Sequence, residues 1–91
     1  MACHNLKIAK VEVSREAEDQ IVALPKVVRL RIFDIVRRLE KWPRVSGAKP
    51  LRGNLAGHFR IRTGDYRVQF YVDGGIIVIE KAGHRDGFYE E

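Results

Sequence analysis

Residues 57–75 read GHFRIRTGDYRVQFYVDGG. Apolar and polar side chains alternate on both sides of Gly64-Asp65, and Asp73-Gly74 ends the second run, the pattern of half-buried strands joined by tight turns. If Gly64-Asp65 is a two-residue turn, Phe59 falls opposite Phe70, Arg60 opposite Gln69, Ile61 opposite Val68 and Arg62 opposite Arg67. One face then carries Phe59, Ile61, Val68 and Phe70. The other carries His58, Arg60, Arg62, Arg67, Gln69 and Tyr71. A two-residue turn at Asp73-Gly74 adds Ile77 and Ile79 to the apolar face, pairs Val68 with Ile79 and Phe70 with Ile77, and sets Glu80 across from Arg67. A turn moved to Gly74-Gly75 changes those partners but keeps the faces.

Outward from this meander, strands are expected over His58 to Arg62, Tyr66 to Val72 and Gly75 to Ala82. Upstream, LKIAKVEV (6–13) alternates with Ala9, Val11 and Val13 on one side, a fourth strand. Ser14 is a helix N-cap, with Glu16, Glu18 and Asp19 placed where the helix dipole favours carboxylates. Ala17, Ile21 and Leu24 give the first helix a narrow apolar stripe. Pro25 interrupts it and falls near the start of a second helix, which reaches about Trp42 with Val28, Ile32, Ile35, Leu39 and Trp42 on one stripe. A loop follows to Gly57, with Leu51 and Leu55 as pins. The chain, residues 1–91, is expected to be one α+β domain of order βααβββ, a helical hairpin packed on a mainly antiparallel four-stranded sheet.

Charge is concentrated in the middle of the chain. Residues 44–72 hold six Lys and Arg against one acidic residue, within a net charge of +5, so this stretch is the one that attracts polyanions or an acidic partner. Arg62 beside Arg67 is a repulsive cross-strand pair, which makes sense where something anionic occupies the face. A solvated face is the plain alternative, since exposed antiparallel faces are ordinarily polar and arginine stems cover apolar surface. Cys3 is the single cysteine, which excludes an internal disulfide and a cysteine-built zinc site. No apolar run approaches a membrane span and no secretion signal is visible, so a cytoplasmic location is expected.

The stretches KPLRGNLAGHFRIRTGDYRVQFYV (49–72) and EKAGHRDGFYEE (80–91) together resemble the RelE/ParE toxin superfamily, and the βααβββ order agrees. The likeness spans nearly the whole chain. It implies the toxin of a type II toxin–antitoxin pair, held inactive by a cognate antitoxin that covers its basic surface. The chain resembles the RelE branch, ribosome-dependent endoribonucleases that cut mRNA in the A site and so inhibit translation, more closely than the ParE branch. The alternative is a ParE-like inhibitor of DNA gyrase, a binding toxin with no enzymatic activity. Arg60 and Arg62 match the basic pair of the RelE pattern, Arg67 its next arginine, and Arg85 and Tyr89 its C-terminal arginine and tyrosine. Lysine is frequent where this chain has Arg60 and Arg62, and the spacing from Arg85 to Tyr89 is short.

Such a reaction removes a proton from the 2′-OH, stabilises a dianionic phosphorane and protonates the leaving 5′-oxygen. Arginine stays charged and serves the second task, assigned to Arg60, Arg62, Arg67 and Arg85. His84, Tyr89, Glu80 and His58 are the candidates for proton transfer. His84 comes first because imidazole titrates in the neutral range and the end of the last strand approaches the Gly64-Asp65 turn. Tyr89 is the other member of the catalytic set, or a base-stacking ring. Lys49, Arg52, His58, Arg31 and Arg38 are candidate RNA contacts, the two helical arginines being equally a solvated face or an antitoxin surface. No metal cluster, Gly-rich phosphate loop or Ser/His/Asp set is recognisable, and no cofactor is expected.

Overall fold

The computed structural model describes residues 9–88. Leu6 to Ile8 of the expected first strand, Cys3 and Tyr89 lie outside them. The elements are β1 (Lys10–Val13), α1 (Arg15–Val22), α2 (Lys26–Leu39), β2 (Lys49–Pro50), β3 (His58–Thr63), β4 (Tyr66–Asp73) and β5 (Ile76–His84), with short 3-10 turns at Gly53–Leu55 and Arg85–Gly87. The two helices pack on one five-stranded sheet of order β1-β5-β4-β3-β2.

The expected α+β architecture is present, with a fifth strand where a loop is expected. Lys49–Pro50 pairs antiparallel with Arg60 and Phe59, and the Leu51 N–H continues that pairing to the His58 carbonyl at 2.9 Å. A proline is tolerated there because β2 is an edge, where one side of the strand has no ladder to break. β1 runs parallel to β5, and the long connection that a parallel pair needs is the whole stretch from α1 through β4.

Local chemistry sets the helix limits. Ser14 caps α1, its hydroxyl accepting from the Ala17 N–H at 3.1 Å, which satisfies one of the donors a helix start leaves open. Pro25 is the N-cap of α2 rather than its first residue. Helix α2 stops at Leu39, three residues before the expected end, and Trp42 reaches the core from the turn that follows.

The core joins Ala17 and Ile21 of α1 and Val28, Ile32, Ile35 and Leu39 of α2 to Ile61, Val68, Phe70, Ile77, Ile79 and Ala82 of the sheet. Trp42 meets Phe59 and Phe70 edge-on, with centroids 4.9 and 5.4 Å apart, the arrangement aromatic quadrupoles favour. Pairing between β3 and β4 follows the expected register throughout.

Pairing between β4 and β5 departs from it. The turn sits at Gly74-Gly75, so Val72 faces Ile77 and Phe70 faces Ile79. A bulge then intervenes, since Gln69 faces Lys81 while Phe70 faces Ile79, and Glu80 is the extra residue. Past the bulge Arg67 faces Gly83 instead of Glu80, and Ala82 turns into the core. A bulge puts two residues against one and shifts the alternation of everything after it. On the other edge of β5 the Ala82 N–H is taken by Gln20 Oε1 of α1 at 2.8 Å, which ties the helix to the strand where β1 no longer reaches.

Candidate functional site

The registers on either side of β3 and β4 line up one row of side chains across four strands: Lys49, Arg60, Gln69 and Lys81. The next row holds Arg62, Arg67 and Gly83. Opposed residues share a face, so five cations converge on the side of the sheet away from the helices. Together with Arg52 and the Leu51, Asn54 and Leu55 side chains of the preceding loop, they line a groove of about 1180 Å³. Gly83 adds no bulk beside Arg67: a Cβ built there would meet nothing within 4 Å.

Arg60 and Arg67 are nearly as buried as the apolar core, at 5% and 6% exposed, and Gln69 between them is 7% exposed. Buried charge is costly unless hydrogen-bonded, and these groups are held by specific acceptors. Arg60 Nη2 donates to Gln69 Oε1 at 3.1 Å. Arg67 Nη1 donates to the Gly64 and Tyr66 carbonyls at 3.0 and 3.1 Å, anchoring it to the β3–β4 turn. Arg62, by contrast, is exposed. Two fixed guanidinium groups and a solvent-facing one suit an anion that must be both oriented and admitted.

The bulge decides which other groups join them. It places Lys81 in the groove and leaves Glu80 on the same face, where its Oε2 takes hydrogen bonds from Gln69 Nε2 at 3.0 Å and from His58 Nδ1. A continuous chain results: His58, Glu80, Gln69, Arg60. The same bulge carries His84 to the other side. His84 faces Tyr66, packs edge-on against its ring at 5.4 Å, and accepts from the Asp86 N–H at 3.2 Å. Arg85 is exposed in the 3-10 turn, its N–H bound to the Asp65 carbonyl at 2.8 Å.

Of the residues singled out in the sequence, the groove therefore brings together Arg60, Arg62, Arg67, Lys49 and Arg52. His58 joins them through Glu80. His84 does not, because the alternation that would have aimed it at the arginines is reset at Glu80-Lys81. Arg31 and Arg38 line a separate hollow of about 450 Å³ on α2 with Val27 and Leu30, reached by Arg62 alone of the groove residues. Arg38 also donates to the Ser46 carbonyl at 3.0 Å. Among the described residues no three His, Cys, Asp or Glu side chains gather as a metal site, and no helix is long and apolar enough to cross a membrane.

Sequence reasoning missed Lys81 and Phe88. Phe88 follows the last turn, is 3% exposed, and lies under Arg60 and Lys81 rather than in the main core. A signal for Lys81 was present: strict alternation after Ile79 would send Lys81 inward, whereas Ala82 is the apolar residue.

A helical hairpin backs a sheet whose outer face is a cationic groove, in a small α+β domain. Compared by sequence, the chain matches no family model and no curated protein. Compared by structure, it is similar to the toxin–antitoxin complex RelBE2 of Mycobacterium tuberculosis, with a TM-score of 0.77 and 28% identity over 88% of this chain and 94% of that one. It is also similar to the RelB–RelE complex of Methanococcus jannaschii, with a TM-score of 0.71 and 22% identity over 86% and 94%. The isolated RelE toxin of E. coli matches with a TM-score of 0.71 and 19% identity over 84% of this chain and 83% of its own. By fold the chain belongs to the RelE/ParE superfamily.

Proposed function

We propose that this chain is the toxin of a toxin–antitoxin pair and a ribosome-dependent endoribonuclease that cuts mRNA in the A site, acting in the cytoplasm and silenced by a cognate antitoxin. The observation that carries the reading is the row Lys49, Arg60, Gln69, Lys81 beside Arg62 and Arg67, with Arg60 and Arg67 buried and fixed by hydrogen bonds. The structural neighbours, several of them toxins solved with their antitoxins, support the toxin role.

The groups divide the chemistry. Arg60, Arg67 and Lys81 surround the scissile phosphate and stabilise the charge that grows on its oxygens, as preorganised donors in a water-poor site do. Arg62 and Arg85, both exposed, bring the RNA in and complete the charge around the phosphorane, while Lys49 and Arg52 hold the neighbouring backbone. Proton transfer falls to His58, which Glu80 orients as a carboxylate orients a catalytic imidazole, and not to His84, which the bulge turns away. Tyr89, outside the described residues, stays a candidate for base stacking or proton transfer. Arg31 and Arg38, on the separate hollow, contact ribosomal RNA or the antitoxin.

The test is to add the purified chain to ribosomes programmed with a defined mRNA, and in parallel to gyrase relaxing and supercoiling a plasmid. Cleavage within the A-site codon with gyrase unaffected supports the reading. Intact mRNA with supercoiling blocked makes the chain a gyrase inhibitor instead.

A further inference from the structure

We propose that Phe88 is a positioning residue of the cationic groove, an aromatic platform that holds Arg60 and Lys81 side by side; this rests on the reading that the groove binds RNA. The Arg60 Cζ lies 5.1 Å and the Lys81 Nζ 4.4 Å from the centroid of the Phe88 ring. The ring is 3% exposed, yet it stands apart from the residues that build the main core. Arg60 and Lys81, from the polar face of the sheet, lie over it.

Two cations in one cross-strand neighbourhood repel each other, and each gains by lying over the negative face of a π system. One ring serving both offsets part of that repulsion. A second interaction fixes the ring: Lys81 Nζ donates to the Gly87 carbonyl at 2.6 Å, so the turn that delivers Phe88 is tied to the cation it supports. The residue acts through Arg60 and Lys81 and touches no reacting atom.

The test compares wild type, Phe88→Leu and Phe88→Trp for binding of a short labelled single-stranded RNA across a salt series. Leucine keeps apolar bulk and loses the π face; tryptophan keeps both. The inference expects Phe88→Leu to weaken binding by roughly five- to thirtyfold, with the slope of log K against log salt shallower by about 0.7 for each phosphate that the groove no longer holds, and Phe88→Trp to stay within about threefold of wild type. Equal affinity and slope for Phe88→Leu, or no recovery with tryptophan, would overturn it while leaving the RNA reading intact. A wild-type chain that binds no RNA, either free or on a programmed ribosome, removes the reading and the inference together. A measurement independent of any variant's folding is the proton spectrum of the native chain: the Lys81 ε-methylene and Arg60 δ-methylene signals must lie upfield, displaced by the ring current, and ordinary positions for both would refute the stacking.

Discussion

On the helix side of the sheet, Phe70, Ile77, Ile79 and Val68 are fully buried among other apolar groups. On the opposite side Arg60, Arg67 and Gln69 are almost as buried, among hydrogen-bond partners, a backbone turn and one aromatic ring. Burial on the first face stabilises the fold in proportion to area removed from water. On the second it costs desolvation, which partners must offset before the face adds anything to stability. A chain with about 5–15 kcal/mol of total stability keeps a buried cationic face when the face serves something other than folding.

That contrast can be broken from either side. The largest effect belongs to Phe70→Ala, which removes a fully buried ring packed against both Trp42 and Phe59; urea denaturation should show a loss of about 3–5 kcal/mol. On the polar face the expected losses are in activity. His58→Gln should slow mRNA cleavage by roughly a hundredfold or more with the melting temperature nearly unchanged, whereas His84→Gln should stay within a few-fold of wild type. Parity between the two histidine variants would show that proton transfer lies elsewhere. The smallest effect is on the repulsive pair: Arg62→Gln should stabilise the domain by about 0.2–1 kcal/mol in the same denaturation assay while weakening RNA binding, since it removes a like charge opposite Arg67. Destabilisation by that change would mean that the two arginines are not in conflict.

How much of this was legible depended on whether the cause was local. The β3–β4 hairpin was readable to the residue because turn chemistry at Gly64-Asp65 and a period of two leave one register that buries Phe59, Ile61, Val68 and Phe70 together. The α2 stripe was readable for the same reason at helical period. The bulge was not, because Glu80 and Lys81 are both charged and neither is a glycine or proline; only the inward position of Ala82 betrays the reset. That single shift moved Lys81 into the site and His84 out of it. The parallel docking of β1 on β5 and the seating of Phe88 join distant parts of the chain, and no periodicity encodes them. The strand at Lys49–Pro50 is two residues long and contains a proline, so it left no pattern to read, although pairing with Arg60 is what aims Lys49 into the groove.

The central claim is that the buried guanidinium groups of Arg60 and Arg67 act on an RNA phosphate. Single-turnover cleavage of mRNA on programmed ribosomes by the wild-type chain and by Arg67→Gln measures it directly, with thermal melting run on both. The account predicts wild-type scission in the A site, a variant slower by about a hundredfold or more, and both proteins folded. A folded variant that cuts as fast as wild type would contradict it.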